Sequence, residues 1–228
     1  MKKILLPLLL FTLITANVKA QALFAPITTT NYNMDGIAET TASSLTTSGA
    51  IDGSNYVMQS MAYAAMYSMS VGLPNNGNIT APSKTFQLQP YTQNDILFLM
   101  ASQIDSLIIV TPAPFNAVSI AGFATEGAGS LNVTLRFTDN TTLVYNALTL
   151  PDWFTGTGNI FNGFGRTNRT TGVIGTPSGA PNIYSLDFNL SCAYRIKNLK
   201  SIKFNNTGTN ARLCILAASG ASNPLNLN

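Results

Sequence analysis

The sequence predicts an all-β protein built as a single β-sandwich of about nine or ten strands. Three observations carry that expectation. Leu131, Val133, Leu135 and Phe137 alternate strictly with Asn132, Thr134, Arg136 and Thr138, the period of two that marks a half-buried strand. Tyr184, Leu186, Phe188, Leu190 and Cys192 alternate in the same way with Ser185, Asp187, Asn189 and Ser191. Between and around these segments, short apolar runs are separated by Gly, Pro and Asn at the intervals expected of a sandwich.

In chain order, the apolar runs that read as strands are Thr85 to Leu88, Ile96 to Met100, Leu107 to Val110 and Ala117 to Phe123. Asp139-Asn140 then forms a tight turn after Leu131 to Thr138, and Thr142 to Leu150 returns as its partner. Leu199 to Phe204 and Leu213 to Ala217 complete the set. Tyr56 to Met69 fits both periods. Met58, Met61, Ala62, Ala65, Met66 and Met69 have helical spacing, whereas Tyr56, Met58, Ser60 and Ala62 would share a strand face. Its brackets, Gly53 and Gly72-Leu73-Pro74, favour strand or irregular structure, with the methionines packing a core. Pro151 to Pro181 carries no strand signal, and a connection that long is often functional.

The first residues have the layout of a cleavable export signal. Met1-Lys2-Lys3 precedes an apolar run from Ile4 to Ile14 and the small-residue stretch ending Ala20-Gln21-Ala22. The run is too short for a bilayer, which takes about 20 residues. This divides the chain into a signal segment (1–22), a sandwich (23–220) and a tail (221–228), and places the mature protein in the periplasm, at the cell surface or in the medium. Cleavage is expected after Ala22 or Ala20. Intact-mass measurement on protein from its native host should therefore give Leu23 or Gln21 as the first residue, and a retained Met1 would overturn the export assignment.

Composition excludes several functions. Of twelve Lys and Arg, Lys2, Lys3 and Lys19 lie in the signal segment, so nine basic residues face nine acidic ones in the remainder. That balance provides no electrostatic footprint for nucleic acid. The chain has no histidine, which removes His-based nucleophilic pairs and His-ligated metals. Its two cysteines, Cys192 and Cys214, are too few for a Cys₄ site; both fall on apolar runs, where they could form a disulfide or pack as small hydrophobes.

Val133-Thr-Leu-Arg-Phe-Thr-Asp-Asn-Thr-Thr, Leu150-Pro-Asp-Trp-Phe and Gly163-Phe-Gly-Arg-Thr-Asn-Arg-Thr-Thr together resemble secreted, uncharacterised proteins of Bacteroidota-type bacteria. Over roughly Tyr32 to Ser219 the pattern is similar to galactose-binding-like jelly rolls, the fold of many carbohydrate-binding modules. The resemblance implies a jelly-roll sandwich and a non-catalytic module for carbohydrate or a cell-surface glycan.

Candidate site residues follow. Trp153 and Asp152 open the long connection; they could form a sugar-stacking platform, or Trp153 could anchor the segment to the sandwich. Arg166, Asn168 and Arg169 could supply a polar rim, or an arginine could pin the segment to Asp152 or Asp187. Asp35, Glu39 and Asp52 offer oxygen ligands for a structural Ca²⁺ of the kind the resemblance implies, or are solvated turn carboxylates. Carboxylates such as Asp139, Asp152 and Asp187 could in principle cleave a glycosidic bond, but no glycosidase motif surrounds them, and an enzyme is not expected. A structural or adhesive surface role without a small ligand is the alternative to glycan binding.

Overall fold

The computed structural model describes residues 23–39, 47–175 and 180–222. The expected signal segment and residues 223–228 of the tail lie outside the described residues. The protein is all-β, as the alternating segments predict.

The largest sheet runs in the order β12 (Phe161–Asn162), β15 (Asn182–Asn189), β9 (Ala117–Thr125), β17 (Arg212–Ala221), β1 (Phe24–Ile27), β6 (Lys84–Gln87) and β5 (Asn78–Ala81). A further strand, β7 (Leu97–Leu99), also pairs with β17. The second sheet has the order β11 (Thr142–Leu150), β10 (Gly129–Phe137), β16 (Leu199–Asn206), β8 (Ile104–Ala113) and β2 (Thr29–Thr30). A small third sheet joins β14 (Ile174–Gly175), β13 (Arg166–Asn168), β4 (Tyr56–Gln59) and β3 (Ile37–Ala38).

The clearest sequence signal becomes the β10–β11 hairpin. Asn140 takes the left-handed conformation at its turn (φ 67°), and the Asp139 carboxylate accepts the Thr141 amide at 3.0 Å. On β10, Leu131, Val133, Leu135 and Phe137 are buried and the residues between them are not. Their buried face joins Leu107, Ile109, Ile202 and Phe204 of the same sheet and Val118 and Ile120 of the large sheet in one continuous core.

The central strands of the large sheet behave differently. All nine residues of β9 are buried, as are nine of the ten in β17. Both faces are therefore covered, which is why their sequences read as near-continuous runs of small and apolar residues instead of alternating. On the side opposite the second sheet, Phe123 stacks on Trp153, and the Thr125 hydroxyl donates to the Ile51 carbonyl at 2.6 Å.

The ambiguous segment at Tyr56 is both strand and helix. After β4, the Ser60 side chain accepts the Tyr63 amide and caps a single turn, α1 (Met61–Ala65). Tyr63 and Ala64 are buried, as is Met58, but Met61, Met66 and Met69 are 42%, 58% and 37% exposed. The expected core stripe is thus mostly at the surface, because the buried side of the turn is taken by Tyr63. Cys192 also departs from expectation. β15 stops at Asn189, and Cys192 begins the short helix α2 (Cys192–Arg195), exposed, while Cys214 is buried in β17; the two are free thiols and form no disulfide.

Candidate functional site

The Pro151–Pro181 connection is tied down at every residue singled out in it. It begins as a continuation of the large sheet: Asp152 bridges to Ala124, the Trp153 amide donates to the Ala124 carbonyl at 2.9 Å, and the Trp153 carbonyl accepts the Asn182 amide at 2.8 Å. The Asp152 carboxylate accepts the backbone amides of Gly127 (3.0 Å) and Phe154 (2.9 Å). It is a turn-forming group, with its oxygens committed to the backbone. Trp153 is 3% exposed, stacked on Phe123 with centroids 5.4 Å apart and met edge-on by Phe154. It offers no free face to a sugar ring. Anchoring, the alternative reading of this residue, describes its surroundings.

Further along, Gly165 adopts a positive φ of 68°, and a side chain there would meet the Gln59 amide. This conformation turns the chain onto β4, in register Arg166 to Met58, Thr167 to Val57 and Asn168 to Tyr56. The Arg166 guanidinium lies 3.8 Å from the Tyr56 ring centroid and 4.7 Å from that of Phe154, with Trp153 behind at 5.8 Å. Its Nη1 donates to Asp52 Oδ2 at 3.3 Å. Asp52 is itself buried, and its other oxygen accepts the Ser54 and Tyr56 amides. Burial raises the Asp52 carboxyl above its ordinary pKa, against the opposing pull of those amides and Arg166.

An arginine does pin the connection, but its carboxylate is Asp52, not Asp152 or Asp187. Asp187 instead pairs with Lys84 at 2.6 Å and accepts the Ser119 hydroxyl. Asn168 and Arg169 are also engaged. The Asn168 carboxamide oxygen accepts the Thr170 and Thr171 amides, and Arg169 donates to the Thr47 hydroxyl and carbonyl. Trp153, Arg166 and Asp52 thus come together, Asp152 braces the turn beside them, and Asn168 and Arg169 extend the same framework.

The proposed cation ligands separate. Asp52 belongs to Arg166. Asp35 and Glu39 are instead joined by Asp95, a residue the sequence reading missed. The antiparallel bridge between Met34 and Ile96 sets Asp35 and Asp95 side by side, and Asp95 Oδ1 accepts the Gly36 amide at 2.9 Å. Asp35 Oδ1, Glu39 Oε2 and Asp95 Oδ2 are buried without a hydrogen-bond partner. Desolvation and the neighbouring Glu39 push Asp35 up to about 6; burial also raises Glu39 and lifts Asp95 well above the usual carboxylate range. Among the described residues no group of three or more His, Cys, Asp or Glu is arranged to hold a metal ion. Asp95 carries little sequence signal: it is a single Asp ahead of an apolar run.

The carboxylates considered for hydrolysis have separate employments. Asp139, in the β10–β11 turn, is held down to about 2 by Lys197 and Thr141, while Asp152 and Asp187 have the partners given above. Two grooves on the surface of the described residues bear on this. One, of about 420 Å³, is walled by Asn75, Asn76, Gln87, Leu88, Pro90 and Tyr91. The other, of about 500 Å³, lies over Met34 and is walled by Asn33, Ser48, Phe98 and Gln103. Neither is lined by a carboxylate. No known protein family matches the chain, and no curated protein matches it.

Proposed function

We propose that this chain is an exported, non-catalytic jelly-roll module that acts by surface contact, in a structural or adhesive role, and not through a ligand platform on the Pro151–Pro181 connection. The observation that carries this reading is the burial of Trp153 against Phe123, with Arg166 locked between Tyr56, Phe154 and Asp52.

The strand order supports the jelly-roll part. Successive long strands cross between the two large sheets: β1 in one, β8 in the other, β9 back, β10 and β11 across, β15 back, β16 across and β17 back. The neighbours are then β15-β9-β17-β1 facing β11-β10-β16-β8, all antiparallel, as two interlocked Greek keys require. The N-terminal signal pattern supports export, and no described helix is long and apolar enough to cross a membrane. The separate partners of Asp139, Asp152 and Asp187 and the absence of histidine support a non-catalytic role.

The purified protein is expected to turn over none of a panel of aryl glycosides, esters and peptides. Antibody raised against it should label intact cells of its native host. A turnover abolished by Asp152→Asn, or signal confined to the cell interior, would overturn the reading.

A further inference from the structure

We propose that the outward face of the second sheet docks on a lipid surface bearing anionic headgroups, with Arg136 and Lys203 meeting the phosphates and the aliphatic side chains around them entering the interface. This rests on the surface-contact reading of the function and names what that surface meets.

The face is defined by the register. Side chains alternate between the two sides of a strand, so the residues of β10 between Leu131, Val133, Leu135 and Phe137 point away from the core. Arg136 lies opposite Thr142 of β11 and Ser201 of β16, and Ser201 lies opposite Ile108 of β8. The next row runs Val144, Thr134, Lys203 and Ser106 across the same four strands. Thr142, Val144, Arg136 and Ile108 are exposed, so the face is open from β11 to β8.

The free charges on it are of one sign. Acidic and basic residues balance over the chain beyond the signal segment, but not here. The strands of the second sheet carry Arg136, Lys200 and Lys203 against a single carboxylate, Asp105. Asp105 lies opposite Phe204, on the core side, and its oxygens accept the Asn31 and Asn33 amides. Arg136 and Lys203 are diagonal neighbours, about 7–8 Å apart in such a ladder. Neither has an ion-pair or hydrogen-bond partner among the described residues. Lys200 reaches only the neutral Asn140 Oδ1, at 2.9 Å. Like charges held side by side repel, and an anion laid across the face removes that repulsion.

Around the cations the face is aliphatic. Ile104, Ile108 and Val110 of β8 and Val144 of β11 are between 42% and 54% exposed. They stand on the two sides of Arg136 and Lys203 in the register. A soluble polyanion would use the cations and leave these side chains in water. A lipid surface uses both: basic residues are drawn to its negative potential, and apolar side chains leave water at the boundary between headgroups and acyl chains. The aliphatic border is what selects a membrane over a free phosphate.

The test is co-sedimentation of the purified protein with vesicles of phosphatidylcholine alone and of phosphatidylcholine mixed with phosphatidylglycerol. Binding to the mixed vesicles, weakened by salt, is expected, with none to phosphatidylcholine alone. Arg136→Gln combined with Lys203→Gln should weaken binding on the order of twentyfold, about fivefold for each charge, without lowering the melting temperature. Ile108→Ser should weaken vesicle binding severalfold but leave retention on immobilised polyphosphate unchanged. Vesicle binding that is absent, or that the double variant or Ile108→Ser leaves at wild-type strength, would overturn the proposal. Retention on polyphosphate without vesicle binding would assign the face to a soluble polyanion instead. Antibody labelling of intact cells reads the surface assignment separately. A failure with vesicles leaves that reading standing, and labelling confined to the cell interior overturns it whatever the vesicles show.

Discussion

Trp153→Ala is expected to lower the stability of the protein by about 3–5 kcal/mol, the cost of deleting a buried tryptophan. For a chain of this size that corresponds to a fall of roughly 10 °C in melting temperature. The loss should exceed the area of the indole alone, because Trp153 also backs the Arg166 guanidinium and fills the space between Phe123 and Phe154. Arg166→Ala should destabilise by on the order of 1–3 kcal/mol, since it leaves the buried Asp52 carboxylate without its cation. A Trp153→Ala protein that melts like wild type would overturn the anchoring role of Trp153 in the Pro151–Pro181 connection. Thermal denaturation of both variants beside the wild type is the measurement.

The second large effect is on pH dependence. The carboxyls of Asp35, Glu39 and Asp95 meet in a partly desolvated cluster, with Arg169, Tyr32, Tyr91 and Cys214 as the other ionisable groups coupled to them. All three are raised in the folded protein, so the folded state binds protons more tightly than the unfolded chain. Their contribution is then fully present below about pH 4, where the unfolded carboxyls are protonated too. It is lost as pH rises through about 6, the value for Asp35, and further as Asp95 is forced to ionise. Melting temperature should fall between pH 5 and pH 8. Asp95→Asn keeps the oxygen that accepts the Gly36 amide and presents an NH₂ where Oδ2 has no partner. It should raise stability at pH 8 by on the order of 1–3 kcal/mol, the penalty of an unsatisfied buried group, and flatten the slope. A wild-type melting temperature constant over this range would overturn the assignment.

The two predictions concern features of unequal legibility. The β10–β11 hairpin could be read directly, because one of its faces is buried and the other is wet; alternation records that difference residue by residue. β9 and β17 were visible only as short apolar runs. Covered on both faces, they have no alternation to mark their full extent. Trp153 could be located at the start of the connection but not assigned a face, since an indole suits a core and a sugar platform equally. The pairing of Arg166 with Asp52 spans 114 residues and is created by the β13–β4 register, for which the local sequence holds no signal. Asp95 is hidden for the same reason: it acquires its neighbours through the single bridge from Met34 to Ile96.

The position of β17 has a consequence for how the chain comes together. This strand lies between β9 and β1 and also carries β7, yet it comes after all of them in the sequence. Until Arg212 to Ala221 has been synthesised, β9 and β1 have a vacancy between them, and their apolar edges have nothing to zip onto. A ribosome must therefore deliver more than nine-tenths of the sandwich before its middle can close, so assembly waits on the final stretch and proceeds through contacts between distant residues, which are slow to form. Removing those ten residues would split the sheet down its centre, leaving two half-built edges open to pairing with other chains.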